Sequence, residues 1–317
     1  MKICNRTLAS LVRGSIYNLK KDNGYMMFYR CNQQQMDYLE KVDSFLYDRT
    51  FFQSSVTLEF ETNATSFSLN YKVFNVGSFD SFDVYVNGTP YKFIQLERHI
   101  KQAVLEVLLP EGDKYVVVYL PCDSQVGIKD LVIDGEWKKH KVKRDLVLCY
   151  GDSITNGYGS LKSSITYINV LSRELGIDVV NQGIGGYWFD ENYVCSIGNV
   201  KPDKILVSLG TNQLWSTDKY ERINNFFKVL EEVYPKIPTL VITPIWRGDR
   251  EGTDDLILDM KNYLINKCLE YPNIKCIDGF KLVPHIEHYF LDKLHPNSLG
   301  MEIYGRNLAN EIKKINW

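Results

Sequence analysis

Apolar and polar residues alternate in the front half of the chain, from about residue 51 to residue 133. Residues 57–61 and 66–71 place apolar side chains at every second position, which is typical of strands with one buried face. Asn87-Gly88 separates two further alternating stretches and predicts a tight hairpin, because both residues tolerate positive φ. Residues 104–109 and 115–120 predict a second hairpin. The pattern of this half therefore predicts an antiparallel β-sandwich or jelly roll.

The pattern changes after the basic run at residues 138–144, which we interpret as a solvated linker and not as a phosphate-binding segment. Amphipathic segments at residues 167–175 and 220–234 now separate short apolar runs, and Gly176 is a plausible cap for the first segment. The predicted strands share this apolar character and are residues 146–150, 179–181, 205–209, 239–243 and 274–277. Alternating strands and helices predict a parallel sheet covered on both faces. The predicted domains are residues 1–142 and 143–317.

Composition narrows the class of protein. The chain has 317 residues and an apolar fraction of 44%, which is enough for well-packed cores. Its 37 basic and 39 acidic residues nearly balance, so no overall field favours a nucleic acid or a membrane as partner. The apolar character of the N-terminal stretch is interrupted by Asn5 and Arg6, so the stretch lacks the continuous apolar region of a secretion signal; the seven cysteines form no CxxC pair. We expect a cytoplasmic protein with reduced thiols; no pattern indicates an oligomeric state.

Small and polar residues follow three of the predicted strands. They are Gly151-Asp152-Ser153, the sequence Asn-Gln-Gly-Ile-Gly-Gly at residues 181–186, and Gly210-Thr211-Asn212. The carboxyl ends of parallel strands meet at one edge of a sheet, so these clusters are expected to converge. Ser153 would lie at a helix N-terminus, where backbone N–H groups lack helical partners. A serine hydroxyl becomes a good nucleophile only when an adjacent base accepts its proton.

The chain contains five histidines that could supply such a base. His285 and His288 have a spacing that could suit a metal, but no third ligand is apparent and packing or loop roles are favoured. His295 differs because Asp292 precedes it by three residues. That spacing allows one short turn to carry both groups, with the carboxylate on one imidazole nitrogen and the other nitrogen facing the serine.

Four motifs in order carry a resemblance to a known family. GDS at Ser153, the glycine cluster after Asn181, GTN at Asn212 and DxxHP at His295 resemble the SGNH or GDSL hydrolases. The similarity covers roughly Lys143 to the C-terminus. It implies an esterase with a flavodoxin-like three-layer α/β/α fold. A GxSxG motif is absent, which argues against the α/β-hydrolase alternative.

The resemblance implies a role for each matching residue. Ser153 is the expected nucleophile, His295 the general base, and Asp292 the carboxylate that orients the base. This chemistry requires no metal and no organic cofactor.

The same resemblance implies an oxyanion hole made of the Ser153 N–H, a glycine N–H and the Asn212 side-chain amide. Alignment on the family pattern favours Gly186 as the glycine, with Gly185 as the alternative. Gln213 is a departure, because family members often carry Asp at this position to support the loop.

A sandwich preceding the hydrolase resembles the arrangement in some carbohydrate esterases. Four aromatic residues near the predicted rim are expected to contact substrate, although packing between helix and sheet is the alternative role for each; they are Tyr187, Trp188, Trp215 and Trp246. We predict a serine esterase that removes acetyl or other short acyl groups from a carbohydrate through an acyl-Ser153 intermediate, with a small-molecule or oligosaccharide ester as its partner. The alternatives are a short-chain thioesterase or lysophospholipase-like acylhydrolase, and a carbohydrate-binding protein with a vestigial hydrolase domain.

Overall fold

The computed structural model describes residues 2–77, 80–97, 99–142, 144–198 and 200–317. The chain forms two compact units, which we name the sandwich unit and the α/β unit. The sandwich unit comprises Met1–Arg30, Phe51–Arg144 and Leu161–Ser164, and the α/β unit comprises Cys31–Thr50, Asp145–Ser160 and Ile165–Trp317. The predicted boundary between residues 142 and 143 assigns residues 31–50 to the first domain and residues 161–164 to the second. The structure groups each of these two segments with the opposite unit.

Two antiparallel sheets and one short helix, α1 (Asn5–Ser10), build the sandwich unit. The six-stranded sheet has the order β1 (Val12–Arg13), β4 (Thr57–Thr62), β9 (Lys114–Tyr119), β6 (Ser81–Val86) and β7 (Thr89–Gln95), and β11 (Trp137–Lys138) also pairs with β4. The five-stranded sheet has the order β2 (Tyr17–Lys21), β3 (Tyr25–Tyr29), β10 (Ser124–Ile133), β5 (Ser66–Val76) and β8 (Gln102–Leu108).

Alternating apolar residues of both sheets share one core, as the period-two pattern predicts. Phe60 of β4 packs edge-on against Phe67 of β5, with ring centroids 5.6 Å apart. The hairpin prediction at Asn87-Gly88 is confirmed: φ is 51° at Asn87 and 78° at Gly88, and β6 pairs with β7 across this turn. The antiparallel sandwich is therefore confirmed.

The second predicted hairpin is wrong. Strand β8 pairs with β5 in the five-stranded sheet, whereas β9 pairs with β4 and β6 in the six-stranded sheet. The residues between β8 and β9 thus cross from one sheet to the other. Local alternation cannot distinguish these arrangements, because both bury every second side chain in the same core.

The basic run is not a solvated linker in its described part. Lys138 belongs to β11, and its Nζ lies 2.9 Å from a carboxylate oxygen of Glu61. His140 Nδ1 lies 2.7 Å from the other oxygen of Glu61, and its ring stacks on Tyr115. These contacts fasten the run to the sandwich unit; Lys143 lies outside the described residues.

A five-stranded parallel sheet forms the centre of the α/β unit. Its order is β13 (Asp178–Gly183), β12 (Leu146–Gly151), β14 (Lys204–Ser208), β15 (Thr239–Ile242) and β16 (Ile274–Ile277). Numbered within the unit, this is the order 2-1-3-4-5 of flavodoxin-like folds. All five predicted strands are present, and the predicted fold class is confirmed.

Helices cover both faces of this sheet. Cys149 of β12 joins a core cluster with residues of α5 (Tyr167–Leu175) and α8 (Ser298–Ile315), while the next residue, Tyr150, packs edge-on against Phe226 of α6 (Lys219–Val233). The helices of the unit are α2 (Gln33–Val42), α3 (Ser44–Arg49), α4 (Ser153–Asn156), α5 (Tyr167–Leu175), α6 (Lys219–Val233), α7 (Thr253–Cys268) and α8 (Ser298–Ile315). Gly176 ends α5 with φ of 62°, as predicted. None of the helices in the described ranges combines the length and apolar content needed to cross a membrane.

Polar contacts hold α2 in the α/β unit, although it precedes the rest of that unit by about a hundred residues of sequence. Gln35 is fully buried, and its Nε2 donates to Gln182 Oε1 at 2.8 Å and to the Tyr193 carbonyl at 3.0 Å. Tyr38 donates its hydroxyl proton to Asp190 at 2.8 Å. The front half of the sequence therefore supplies a buried part of the second unit.

Candidate active site

Ser153 lies at a sharp turn from strand to helix. Strand β12 ends at Gly151, Asp152 is the N-cap of α4, and Ser153 is the first residue of that helix. The Asp152 carboxylate accepts the Ile154 N–H at 2.9 Å, which fixes the start of the helix. Gly157 ends the helix after one turn with φ of 103°. The turn presents the half-buried Ser153 side chain beyond the carboxyl end of the sheet.

Three side chains form a continuous hydrogen-bonded chain. Ser153 Oγ lies 2.8 Å from His295 Nε2, and His295 Nδ1 lies 2.8 Å from Asp292 Oδ2. The structure thus brings together the three residues that the sequence analysis singled out, although Asp292 and His295 follow Ser153 by 139 and 142 positions. An imidazole held in this way can accept the serine proton, while the carboxylate stabilises the charge that the ring acquires.

The turn at residues 290–296 carries both Asp292 and His295. A β-bridge between Phe290 and Pro296 closes it. Asp292 Oδ1 accepts the backbone N–H groups of Leu294 at 3.1 Å and His295 at 2.8 Å. Burial raises the pKa of Asp292, but the hydrogen bonds from the backbone and ring of His295 outweigh it and leave this pKa below its ordinary value. The carboxyl group therefore stays ionised at neutral pH.

Two residues just after α4 support the histidine and were missed by the sequence analysis. The Tyr158 ring packs edge-on against His295, with centroids 4.6 Å apart. A Cβ at Gly159 would lie 2.9 Å from the Pro296 carbonyl oxygen and 3.2 Å from His295 Cβ, and its φ is 93°. Only glycine fits this close approach without strain. The two glycines in Gly157-Tyr158-Gly159 were the available signal.

The glycine cluster after β13 lies beside the serine. Asn181 is buried, donates to the Thr155 carbonyl at 2.7 Å, and accepts the Gly183 N–H at 2.9 Å. Within the described ranges, no acceptor pairs with the backbone N–H groups of Ser153, Gly185 or Gly186. Unpaired N–H groups beside a nucleophile can receive an oxyanion.

Asn212 is exposed and held at one end of its amide. Its Nδ2 donates to the Tyr187 carbonyl at 2.8 Å, which orients the side chain and leaves the second proton of the NH2 group available. The neighbouring Gln213 is buried, and its Oε1 accepts the Phe189 N–H at 2.8 Å. Its Nε2 also donates to the Phe189 carbonyl at 3.4 Å. Gln213 therefore supports this loop at the position where relatives often carry Asp.

Two of the four aromatic residues pack in ways that do not suit substrate contact. Tyr187 is 2% exposed and donates its hydroxyl proton to Asp190 at 2.9 Å, so little of its ring is accessible for the predicted contact with substrate. Trp246 is half-buried, stacks on His285 and packs against Phe290. These contacts are a packing role, which the sequence analysis gave as the alternative to substrate contact.

The other two aromatic residues remain accessible. Trp188 is half-buried and stacks on Tyr187. Trp215 is 44% exposed, with the guanidinium groups of Arg247 and Arg250 at 5.0 and 4.6 Å from its ring centroid. Trp215 is thus the most accessible of the four predicted substrate contacts.

Two buried charged residues, Asp152 and Arg247, interact with each other beside the helix that carries Ser153. Burial raises the pKa of Asp152 to about 7, and the positive charge of Arg247 opposes this increase. Arg247 is itself buried, pairs with Asp249 at 2.6 Å, and donates to the Thr211 carbonyl at 2.9 Å. Its visible role is to hold the loop that carries Asn212.

Helix α3 also reaches the glycine cluster, and sequence patterns gave no signal of this. A Cβ at Gly185 would lie 3.0 Å from Arg49 Nε and 3.9 Å from Ser153 Cβ. A Cβ at Gly186 would lie 3.7 Å from Phe45 Cε1. Residues of the front half therefore lie beside the candidate nucleophile.

Part of the α/β unit is similar to a known protein family. Residues 149–303 match the model of the GDSL-like Lipase/Acylhydrolase family. A search of curated proteins found no significant match.

Solved structures extend the likeness to both units. The salicylyl-acyltransferase SsfX3 from a tetracycline biosynthetic pathway is 20% identical, with a TM-score of 0.80 over 96% of this chain and 94% of the other. A protein described as a GDSL-like lipase from Bacteroides ovatus is 16% identical, with a TM-score of 0.79 over 100% and 98%. A family two carbohydrate esterase from Clostridium thermocellum is 17% identical, with a TM-score of 0.65 over 84% and 94%.

These likenesses establish the fold, and the family match identifies the part of the chain that carries the site. Residues 149–303 contain Ser153, Asn212 and His295 at the positions described above. This part of the chain is similar to the GDSL-like lipase/acylhydrolase family, whose members are also called SGNH hydrolases.

Proposed function

We propose that this protein is a serine esterase that removes acetyl or other short acyl groups from carbohydrates. The observation that carries the proposal is the chain of two 2.8 Å contacts from Ser153 through His295 to Asp292. In the first step, His295 Nε2 accepts the hydroxyl proton as Ser153 Oγ attacks the ester carbonyl. The protonated ring then gives that proton to the departing sugar oxygen, which leaves an acyl-Ser153 ester. Water, activated by the same histidine, hydrolyses this ester.

The tetrahedral intermediates of both steps carry a negative oxygen. We assign its stabilisation to the N–H groups of Ser153 and Gly186 and to the Asn212 amide, with Gly185 as the alternative glycine. Each of these donors is fixed before the reaction by the local contacts of its loop. A preorganised donor of this kind contributes about 2.7–4 kcal/mol in the transition state.

Two observations support a carbohydrate as the alcohol part of the ester. Trp215 is 44% exposed and has two guanidinium groups beside its ring, and this combination of apolar surface and hydrogen-bond donors suits a sugar. Several solved structures with the same two-part fold are named carbohydrate esterases, and one was determined in complex with cellohexaose. Acetate is the expected acyl group, because the chain shows no apolar stripe for a long acyl tail apart from its core pattern.

The test is acetate release from a panel of acetylated oligosaccharides, with a short-chain aryl acetate beside it. We expect Ser153→Ala to reduce release from both by at least about 10⁴-fold, because the nucleophile is lost. Ser10→Ala is the matched control, since that hydroxyl lies on α1 and, among the described residues, donates only to the Thr7 carbonyl. The control should keep full activity.

The outcomes separate the candidate functions. Ser153-dependent release from sugars supports the proposal as stated. Turnover of the aryl ester alone would overturn the sugar assignment and favour a thioesterase or lysophospholipase-like acylhydrolase. Sugar binding without turnover of any ester, unchanged in Ser153→Ala, would favour a carbohydrate-binding protein with a vestigial hydrolase domain.

A further inference from the structure

Helix α3 brings a cation to the nucleophile. The space beside Gly185 is shared: the position of a Cβ on this residue is 3.0 Å from Arg49 Nε and 3.9 Å from Ser153 Cβ. These two distances place Arg49 Nε within about 7 Å of Ser153 Cβ, a range over which charges interact strongly away from bulk water. The reacting carbonyl of a substrate would therefore lie close to a guanidinium group.

The identity of residue 185 follows from this approach. Gly185 has no left-handed φ, so its backbone conformation does not itself require glycine. A side chain there would instead meet Arg49 at less than an ordinary contact distance and would also touch Ser153. The glycine thus allows Arg49 to approach this closely.

The guanidinium group is held in one orientation. It stacks on the Phe45 ring at 3.1 Å from the centroid, and Nη1 donates to the Phe45 carbonyl at 2.9 Å. The Asp43 carboxylate accepts the Phe45 N–H at 2.7 Å and caps the helix. A planar cation fixed in advance loses less freedom when it binds a carboxylate, and its fork of N–H groups matches that anion.

We propose that Arg49 is a specificity-determining residue that selects esters with a carboxylate close to the reacting carbonyl. The inference rests on the proposed esterase function and narrows its substrate class to acidic esters. The carboxylate lies either on the sugar, as in an O-acetylated uronic acid, or at the far end of the acyl group, as in a succinyl ester. Both share the chemistry that a guanidinium group recognises.

The test compares pairs of esters that differ by one carboxylate. One pair is an O-acetylated galacturonate oligomer and its O-acetylated galactose counterpart, and the other is mono-4-nitrophenyl succinate and 4-nitrophenyl acetate. We expect the acidic member of at least one pair to have the higher kcat/KM. Arg49→Met should reduce that preference by at least about 10-fold, Arg49→Lys should retain part of it, and 0.5 M salt should weaken it.

A purely structural role would give a different result, because it would lower kcat/KM equally for both members of a pair. Arg306→Met is the matched control, an exposed arginine of α8 that pairs with Glu174 and Glu302. Thermal unfolding of each variant establishes that it is folded. If Arg49→Met is not folded, Arg49→Lys tests whether the charge preference depends on the guanidinium group.

The outcomes distinguish the two proposals. Ser153-dependent turnover with a charge preference that Arg49→Met leaves unchanged would overturn this inference and keep the esterase. Absence of Ser153-dependent turnover from all four esters would overturn both. The pair in which the preference appears tells whether the sugar or the acyl group carries the carboxylate.

Discussion

A buried polar cluster in the sandwich unit and the polar rim of the α/β unit use the same residue types in opposite ways. In the sandwich unit, the Asp80 carboxylate accepts the backbone N–H groups of Ser81 at 3.0 Å, Cys122 at 2.9 Å and Asp123 at 2.7 Å. It also accepts the Ser163 hydroxyl proton at 2.8 Å. Four donors meet one fully buried acceptor, and both oxygens of the carboxylate are used.

At the rim, several donors have no acceptor among the residues that the structure describes. The N–H groups of Ser153 and Gly186 lack acceptors in the described ranges, and one proton of the Asn212 amide points away from its single partner. A satisfied cluster stabilises a fold, because breaking it leaves buried groups unpaired. Unpaired donors that lie beside a serine hydrogen-bonded to a histidine are available to bind a ligand. This difference separates a structural use of Asp, Ser and backbone N–H groups from a catalytic one.

The strongest way to break this comparison is to separate the two units at the predicted boundary. A fragment of residues 143–317 loses α2 and α3, and Gln182 is then left without its buried partner Gln35. We expect no cooperative unfolding and no esterase activity from this fragment. The measurements are a urea unfolding curve and aryl acetate turnover.

Residues 31–50 joined by a flexible linker to residues 145–317 are the informative control. This variant restores the contacts of Gln35 and Tyr38 and should regain part of the cooperative transition. A fragment of residues 143–317 that unfolds cooperatively and keeps the full kcat would contradict the assignment of residues 31–50 to the α/β unit.

Neighbouring residues of one loop sharpen the comparison at the rim. We expect Asn212→Ala to lower kcat by about 100-fold or more, because an oxyanion donor is lost, with little change in stability at an exposed position. Gln213→Ala should instead lower the free energy of unfolding by about 1–3 kcal/mol, because the buried Phe189 N–H loses its acceptor. The kcat of each variant and its urea unfolding curve provide the test. An unchanged kcat in Asn212→Ala would remove that residue from the mechanism.

The smallest expected effect is the change in stability over one pH unit that Asp80 causes. Burial, followed by repulsion from Asp123, raises its pKa to about 7 in the folded protein. The folded state then holds a proton that the unfolded chain has released between about pH 4 and 7, so this group lowers stability as the pH increases across that window. The unfolding free energies of the parent protein and of Asp80→Asn should be measured as a function of pH. We expect the difference between them to change by at most about 1.4 kcal/mol per pH unit. Parallel stability curves for the two proteins would show that Asp80 is ionised throughout.

Sequence reasoning was most successful where local pattern and packing agree. The five strands of the α/β unit are built around short apolar runs, and their bounds were predicted within two residues. The turn that joins Asp292 to His295 is also local, since three residues of spacing limit its geometry. The hairpin at Asn87-Gly88 was predictable for the same reason.

Long-range placement explains what was missed. The partner sheet of β8 and β9 depends on which neighbours complete the core, and both choices bury the same side chains. Residues 31–50 contain no motif, and their place is fixed by contacts such as Gln35 with Gln182, which are 147 residues apart. Arg49 beside Gly185 is a contact of this kind, so no window of sequence could indicate it.

The exchange of residues 31–50 has a consequence for synthesis. This segment leaves the ribosome before the whole of residues 51–144, yet its partners Gln182 and Asp190 follow more than a hundred residues later. At about 5–20 residues per second, the segment waits roughly 5–30 s for those partners, while the sandwich strands on either side of it are already available to pair. His295 is made later still, after both of those partners. The sandwich strands can therefore pair before the α/β unit is complete, and the reactive groups of the candidate site come together after residues 31–50 have met their partners.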